Sequence, residues 1–83
     1  METATSQIFK PHTIGQIRFE NKSMILVVDG KQISVNLETV SPLLASAPDN
    51  KRLDYEISPA GYGIHWRQLD EDLSINALLL SAE

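Results

Sequence analysis

The sequence predicts a small α+β domain: an antiparallel sheet of two hairpins, about four or five strands, crossed by one short helix and closed by a short C-terminal helix. Three observations predict it. Runs of period-two apolar residues flank turn-forming residues at Asp29-Gly30 and again at Ser58–Gly61. Between the two hairpins lies a stretch with helical apolar spacing, and after them Ser74 precedes an Ile- and Leu-rich run.

The chain has 83 residues, enough for one domain with a thin core, because a domain of this size buries only about 60% of its unfolded surface. Hydrophobic residues make up 42% and charged residues 22%, which is ordinary globular usage and argues against wholesale disorder. The expected organisation is a flexible leader over residues 1–13 and a single domain over 14–83. Pro11 limits regular structure in the leader, while Ile8 and Phe9 offer two apolar side chains to the body. His12 stands alone there and carries no chemical signal by itself.

The domain opens with a β-meander. Gln16–Glu20 places Ile17 and Phe19 at period two, Asn21-Lys22 marks a turn, and Ser23–Val28 is apolar and β-branched. Asp29-Gly30 is a two-residue hairpin signal, since a type I′ turn needs positive φ at both central positions. Lys31–Asn36 then returns. That turn sets Val28 against Lys31, Leu26 against Ile33 and Met24 against Val35, so these side chains form the core face. Ile25 and Val27 fall on the other face, which calls for partial cover from the leader or another subunit.

Leu37–Ala47 reads as the crossing helix. Ser41-Pro42 fits an N-cap followed by proline at the first helical position, and Asn36 is an alternative start. Val40, Leu43, Leu44 and Ala47 are expected to face the sheet. In the second hairpin, a four-residue loop at Ser58–Gly61 would pair Ile57 with Tyr62, Tyr55 with Ile64 and Leu53 with Trp66 on the core face. It would pair Asp54 with His65 on the outer face. Ser74 is the expected N-cap of the last helix, with Ile75, Leu78 and Leu79 inward.

Composition excludes several function classes. There is no cysteine, so disulfides, Cys-based zinc sites and thiol nucleophiles are out, and a reducing cytoplasm is favoured. Met1–Gln7 lacks a signal-peptide pattern. The longest apolar runs, 24–28 and 77–80, fall far short of the roughly 20 residues a membrane span needs. A soluble cytoplasmic protein is expected. Residues 1–52 carry net charge +1, whereas residues 53–83 set Arg67 against Asp54, Glu56, Asp70, Glu71, Asp72 and Glu83, a net −5. Because phosphate neutralisation supplies much of nucleic-acid affinity, direct DNA binding is disfavoured and a basic protein partner fits better.

The run Gly61-Tyr62-Gly63-Ile64-His65-Trp66, followed by Leu69-Asp70-Glu71-Asp72-Leu73-Ser74-Ile75 and Leu78-Leu79, resembles the C-terminal signature of the bacterial DUF2442 family. The resemblance extends to Asp29-Gly30-Lys31, Pro42-Leu43 and Ala47-Pro48, and spans about residues 14–80. Arg67 departs from it, standing where the family usually has proline. Glu38–Ser41 replaces a more aromatic segment. The resemblance implies a small α+β domain. It further implies association with a neighbouring gene for another small domain, in the manner of a toxin–antitoxin pair, and some relatives carry an added helix-turn-helix.

The candidate chemistry is concentrated in the same run. His65 with Asp54 could form a base and its orienting carboxylate, but a cross-strand ion pair on a solvated face explains the same residues more simply. Asp70-Glu71-Asp72 lacks EF-hand spacing, and adjacent acids do not converge on one point. They fit a solvated loop or the positive end of the following helix. Trp66 on the core face needs a partner for its indole N–H, such as a carbonyl or Asp70. Gly61 and Gly63 do not make a phosphate loop. No catalytic residue, metal or cofactor is assigned.

The expected function is a non-enzymatic protein-interaction module, the antitoxin-like or adaptor half of a bacterial gene pair. Its partner surface would include His65, Trp66, Arg67, Asp70, Glu71 and Asp72, and a sheet edge would be open to self-association. Two alternatives stand behind it: a transcription-linked domain touching DNA only as an oligomer or with a partner, and, further back, a small metal-dependent hydrolase.

Overall fold

The computed structural model describes residues 11–82; the expected docking of Ile8 and Phe9 lies outside them. Strands β1 (Ile14–Glu20), β2 (Ser23–Val28) and β3 (Lys31–Asn36) form one antiparallel sheet in that order. The Asp29-Gly30 turn has φ of 53° and 84°, the positive values a type I′ hairpin requires. Its β2–β3 register is the expected one throughout, from Val28↔Lys31 to Met24↔Val35. Ile25 and Val27 are half-buried on the outer face, where Gly15 allows β1 to approach closely: a Cβ there would sit 3.1 Å from the Val27 Cβ.

The crossing segment is three short helical turns rather than one helix: α1 (Leu37–Val40), α2 (Pro42–Ser46) and α3 (Asp49–Arg52). Proline explains both breaks. Its ring disfavours helical backbone in the preceding residue, and Ser41 (φ −161°, ψ 89°) and Ala47 (φ −79°, ψ 148°) are both extended. Both proposed helix starts are used: Asn36 accepts from the Glu38 N–H, and Ser41 Oγ accepts from the Leu44 N–H. Leu44 is buried as expected, but Leu43 is 48% exposed, because the break at Ser41 resets the helical phase.

The second half forms its own three-stranded sheet, β4 (Tyr55–Ile57), β5 (Gly63–Trp66) and β6 (Glu71–Ser74), in that order. The described residues therefore form six strands in two sheets. The expected pairing of the second hairpin is shifted by two residues: Tyr55 opposes Trp66, Glu56 opposes His65 and Ile57 opposes Ile64. The loop is longer than four residues because Pro59–Gly61 winds into a 3₁₀ turn, with Ala60 at φ 64°. The Ser58 N–H then donates to the Gly63 carbonyl. A two-residue shift preserves which side chains share a face, so Ile64 and Trp66 still point into the core.

Helix α4 (Ile75–Ser81) starts at Ser74, whose hydroxyl accepts from the Ala77 N–H. Ile75 and Leu78 are buried, whereas Leu79 is 37% exposed. One core joins both sheets and the helices, with Trp66, Met24, Leu26, Leu37, Leu44 and Ile64 among its fully buried side chains. Among the described residues no helix is long and apolar enough to cross a membrane.

Candidate functional site

Strand β5 alternates sides, and that alternation sorts the site. Trp66 is fully buried; its indole N–H donates to the Arg52 carbonyl at 2.7 Å, and its ring lies 6.2 Å from that of Tyr55. It therefore leaves the set of partner-facing residues. The carbonyl option for its N–H is the one realised, and Asp70 is elsewhere.

The three acids do not act as a group. Asp70, at φ 51°, makes the turn between β5 and β6, a conformation aspartate tolerates. Glu71 and Asp72 belong to strand β6, which runs directly into α4, and so they face opposite ways. Glu71 is half-buried and accepts a short hydrogen bond from Ser41 Oγ, tying the crossing segment to the second sheet. Asp72 is on the outer face. Among the described residues no three His, Cys, Asp or Glu side chains converge as metal ligands would.

The expected Asp54–His65 pair does not form. His65 Nδ1–H donates to Asp72 Oδ1 at 2.8 Å, across the β5–β6 pair. Glu56 is its register neighbour on the other side, so one outer row reads Glu56, His65, Asp72. Asp54 lies beyond the start of β4. There it accepts from Gln68 Nε2 at 2.8 Å and from Arg67 Nε at 3.2 Å. These two hydrogen bonds, together with the guanidinium charge, lower its carboxyl pKa below the usual aspartate range. Arg67 is thus drawn away from the row toward Asp54.

His65 and Asp72 of the outer row border a shallow, chiefly apolar groove of about 270 Å³. Tyr62, Gly63, His65, Asp72 and Leu73 line it, with Ser58 and Ser74 at its margins. A Cβ at Gly63 would meet the Leu73 carbonyl oxygen at 3.0 Å, so glycine permits the tight β5–β6 approach. Sequence reading missed Tyr62 and Gly63 as site residues. A glycine inside a strand run signals a close backbone approach, but its position opposite Ser74 depends on β6, which the sequence reading did not contain.

His12 was also missed. Its Nδ1–H donates to Asp29 Oδ2 at 2.7 Å, its Nε2 lies 3.3 Å from Asn76 Oδ1, and its backbone N–H donates to the Ala60 carbonyl. It joins the first hairpin turn, the 3₁₀ turn and α4. These partners are remote in sequence, so no local pattern announces them.

The sequence matches the model of the family described as protein of unknown function (DUF2442) over residues 14–83. No curated protein matches it. The fold is similar to a crystal structure of a protein of unknown function from Rhodospirillum rubrum, at 25% identity and TM-score 0.65, covering 83% of this chain and 86% of that one. It is also similar to the solution structure of an uncharacterized protein from Chromobacterium violaceum, at 18% identity and TM-score 0.68, covering 98% of this chain and 80% of that one.

Proposed function

Since the chain belongs to the DUF2442 family, whose function is unknown, we propose from its surface chemistry that it is a non-enzymatic protein-interaction module, the adaptor or antitoxin-like half of a bacterial gene pair. The observation that carries this reading is the segregation of charge. The net −5 of residues 53–83 includes Glu56 and Asp72, both exposed and both on the outer face of the second sheet. A face of one sign steers a basic partner and rejects acidic ones. The two serines lining the groove serve the backbone, Ser58 Oγ accepting from the Gly63 N–H and Ser74 Oγ from the Ala77 N–H.

Co-expression with the products of the flanking genes tests the reading. Salt-sensitive co-purification with one of them is the expected result. No binding by any flanking product, together with no toxicity of that product expressed alone, would overturn it.

A further inference from the structure

We propose that the groove beside the Glu56–His65–Asp72 row is a socket for a lysine or arginine side chain presented by the partner polypeptide, an inference that rests on the interaction reading above. The shape and the charge of the groove point to the same occupant. Its lining is chiefly apolar, from Tyr62, Gly63, Ile64 and Leu73, and it carries one carboxylate, that of Asp72. Long basic side chains carry that combination in reverse, an apolar stem with a cationic head.

The rim carboxylate is set for the head group. The Asp72 side chain is 77% exposed, and the His65 imidazole holds its Oδ1. An ionised carboxylate offers about four lone-pair directions, so one histidine bond leaves acceptor capacity facing the groove. Glu56 adds a second negative charge across the row. Tyr62, 43% exposed, lines the groove, and an aromatic ring attracts a cation placed over it. An apolar occupant would desolvate Asp72 without compensation. A bare metal ion would find no third ligand among the described residues.

The test is a ¹H–¹⁵N NMR titration of the full chain with three blocked tripeptides, Gly-Arg-Gly, Gly-Lys-Gly and Gly-Gln-Gly. Saturable shifts at Gly63, His65 and Asp72 with the Arg and Lys peptides, and not with Gln, are expected. Asp72→Asn is expected to weaken binding by about two- to fivefold, the range for one exposed ion pair. Tyr62→Ser is expected to weaken it as well, and Glu38→Gln to leave it unchanged. Shifts spread evenly over all acidic residues, equal shifts with the Gln peptide, or wild-type affinity in both socket variants would overturn the proposal. If a flanking gene's product binds Asp72→Asn and Tyr62→Ser as tightly as wild type, the socket falls and the interaction reading stands.

Discussion

The indole N–H of Trp66 donates to the backbone carbonyl of Arg52 at 2.7 Å, so the centre of the second sheet is pinned to the end of the crossing segment. Arg52 is itself buried, and its guanidinium donates to the carbonyls of Leu44, Ala45 and Asn21 while lying 5.7 Å from the Phe19 ring. One side chain thereby satisfies the carbonyl ends of α2 and of the first meander turn. A planar fork with five donors suits three separate acceptors, which an ammonium on a lysine stem does not.

Arg52→Met is expected to cost about 3 kcal/mol, because three charge-assisted bonds are lost; Ala45 keeps Lys22 Nζ and Leu44 keeps the Ala47 N–H as donors, but Asn21 loses the Arg52 donor. Trp66→Phe removes the indole N–H and leaves a smaller ring, for about 2 kcal/mol. Arg18→Met, at an exposed pair with Glu20, is expected to stay within about 0.5 kcal/mol. Urea unfolding of the three variants checks the order. Equal midpoints for Arg52→Met and Arg18→Met would contradict it.

Two glycines with positive φ are expected to respond differently to alanine. At Gly30 (φ 84°) nothing lies within 4 Å of an added Cβ, so Gly30→Ala costs only the left-handed backbone term, about 1–2 kcal/mol. At Gly61 (φ 68°) the Cβ would fall 2.0 Å from the His12 carbonyl oxygen. The cost there exceeds that of Gly30→Ala, and amide exchange at His12 accelerates as its bond to Ala60 is lost. Thermal midpoints and hydrogen exchange read the two effects separately.

Ser41 and Glu71 are expected to be coupled. Ser41 Oγ donates to the Glu71 carboxylate while accepting from the Leu44 N–H. Ser41→Ala therefore removes a helix cap and a charge-assisted bond together. A double-mutant cycle with Glu71→Gln is expected to give about 1 kcal/mol of interaction. An additive cycle would show that the bond contributes nothing.

Asp54 makes the stability acid-sensitive. Its folded-state pKa is lowered by Gln68 and Arg67, so the ionised carboxylate stabilises the fold at pH values above the unfolded aspartate value, about 3.9. That contribution disappears as pH falls through the lower, folded-state value. Wild type is thus expected to be more stable than Asp54→Asn at neutral pH, with the gap closing below about pH 4. A constant gap across that range, followed by urea midpoints, would rule out the linkage.

How far the site was legible differs from residue to residue. His65 facing out and Trp66 facing in follow from period two alone, and a register error of two residues did not disturb them. The partner of His65 did depend on register, and register depended on Pro59–Gly61 coiling into a 3₁₀ turn rather than a four-residue loop. Glu71-Asp72 was hidden as strand because a four-residue edge segment with two acids carries little β signal of its own. It is a strand because β5 offers it a ladder.

What the sequence determined by itself is what local chemistry dictates. The Asp29-Gly30 turn and its whole register, the Ser41 and Ser74 caps, the α+β class and the inward Ile64 and Trp66 all come from interactions spanning a few residues. Tertiary structure alone decided the rest: two sheets instead of one, Arg52 buried against distant carbonyls, His12 clasped by Asp29, and the groove beside His65 and Asp72. Each of these joins groups far apart along the chain, and their pairing is set by which faces pack together, which no local period encodes.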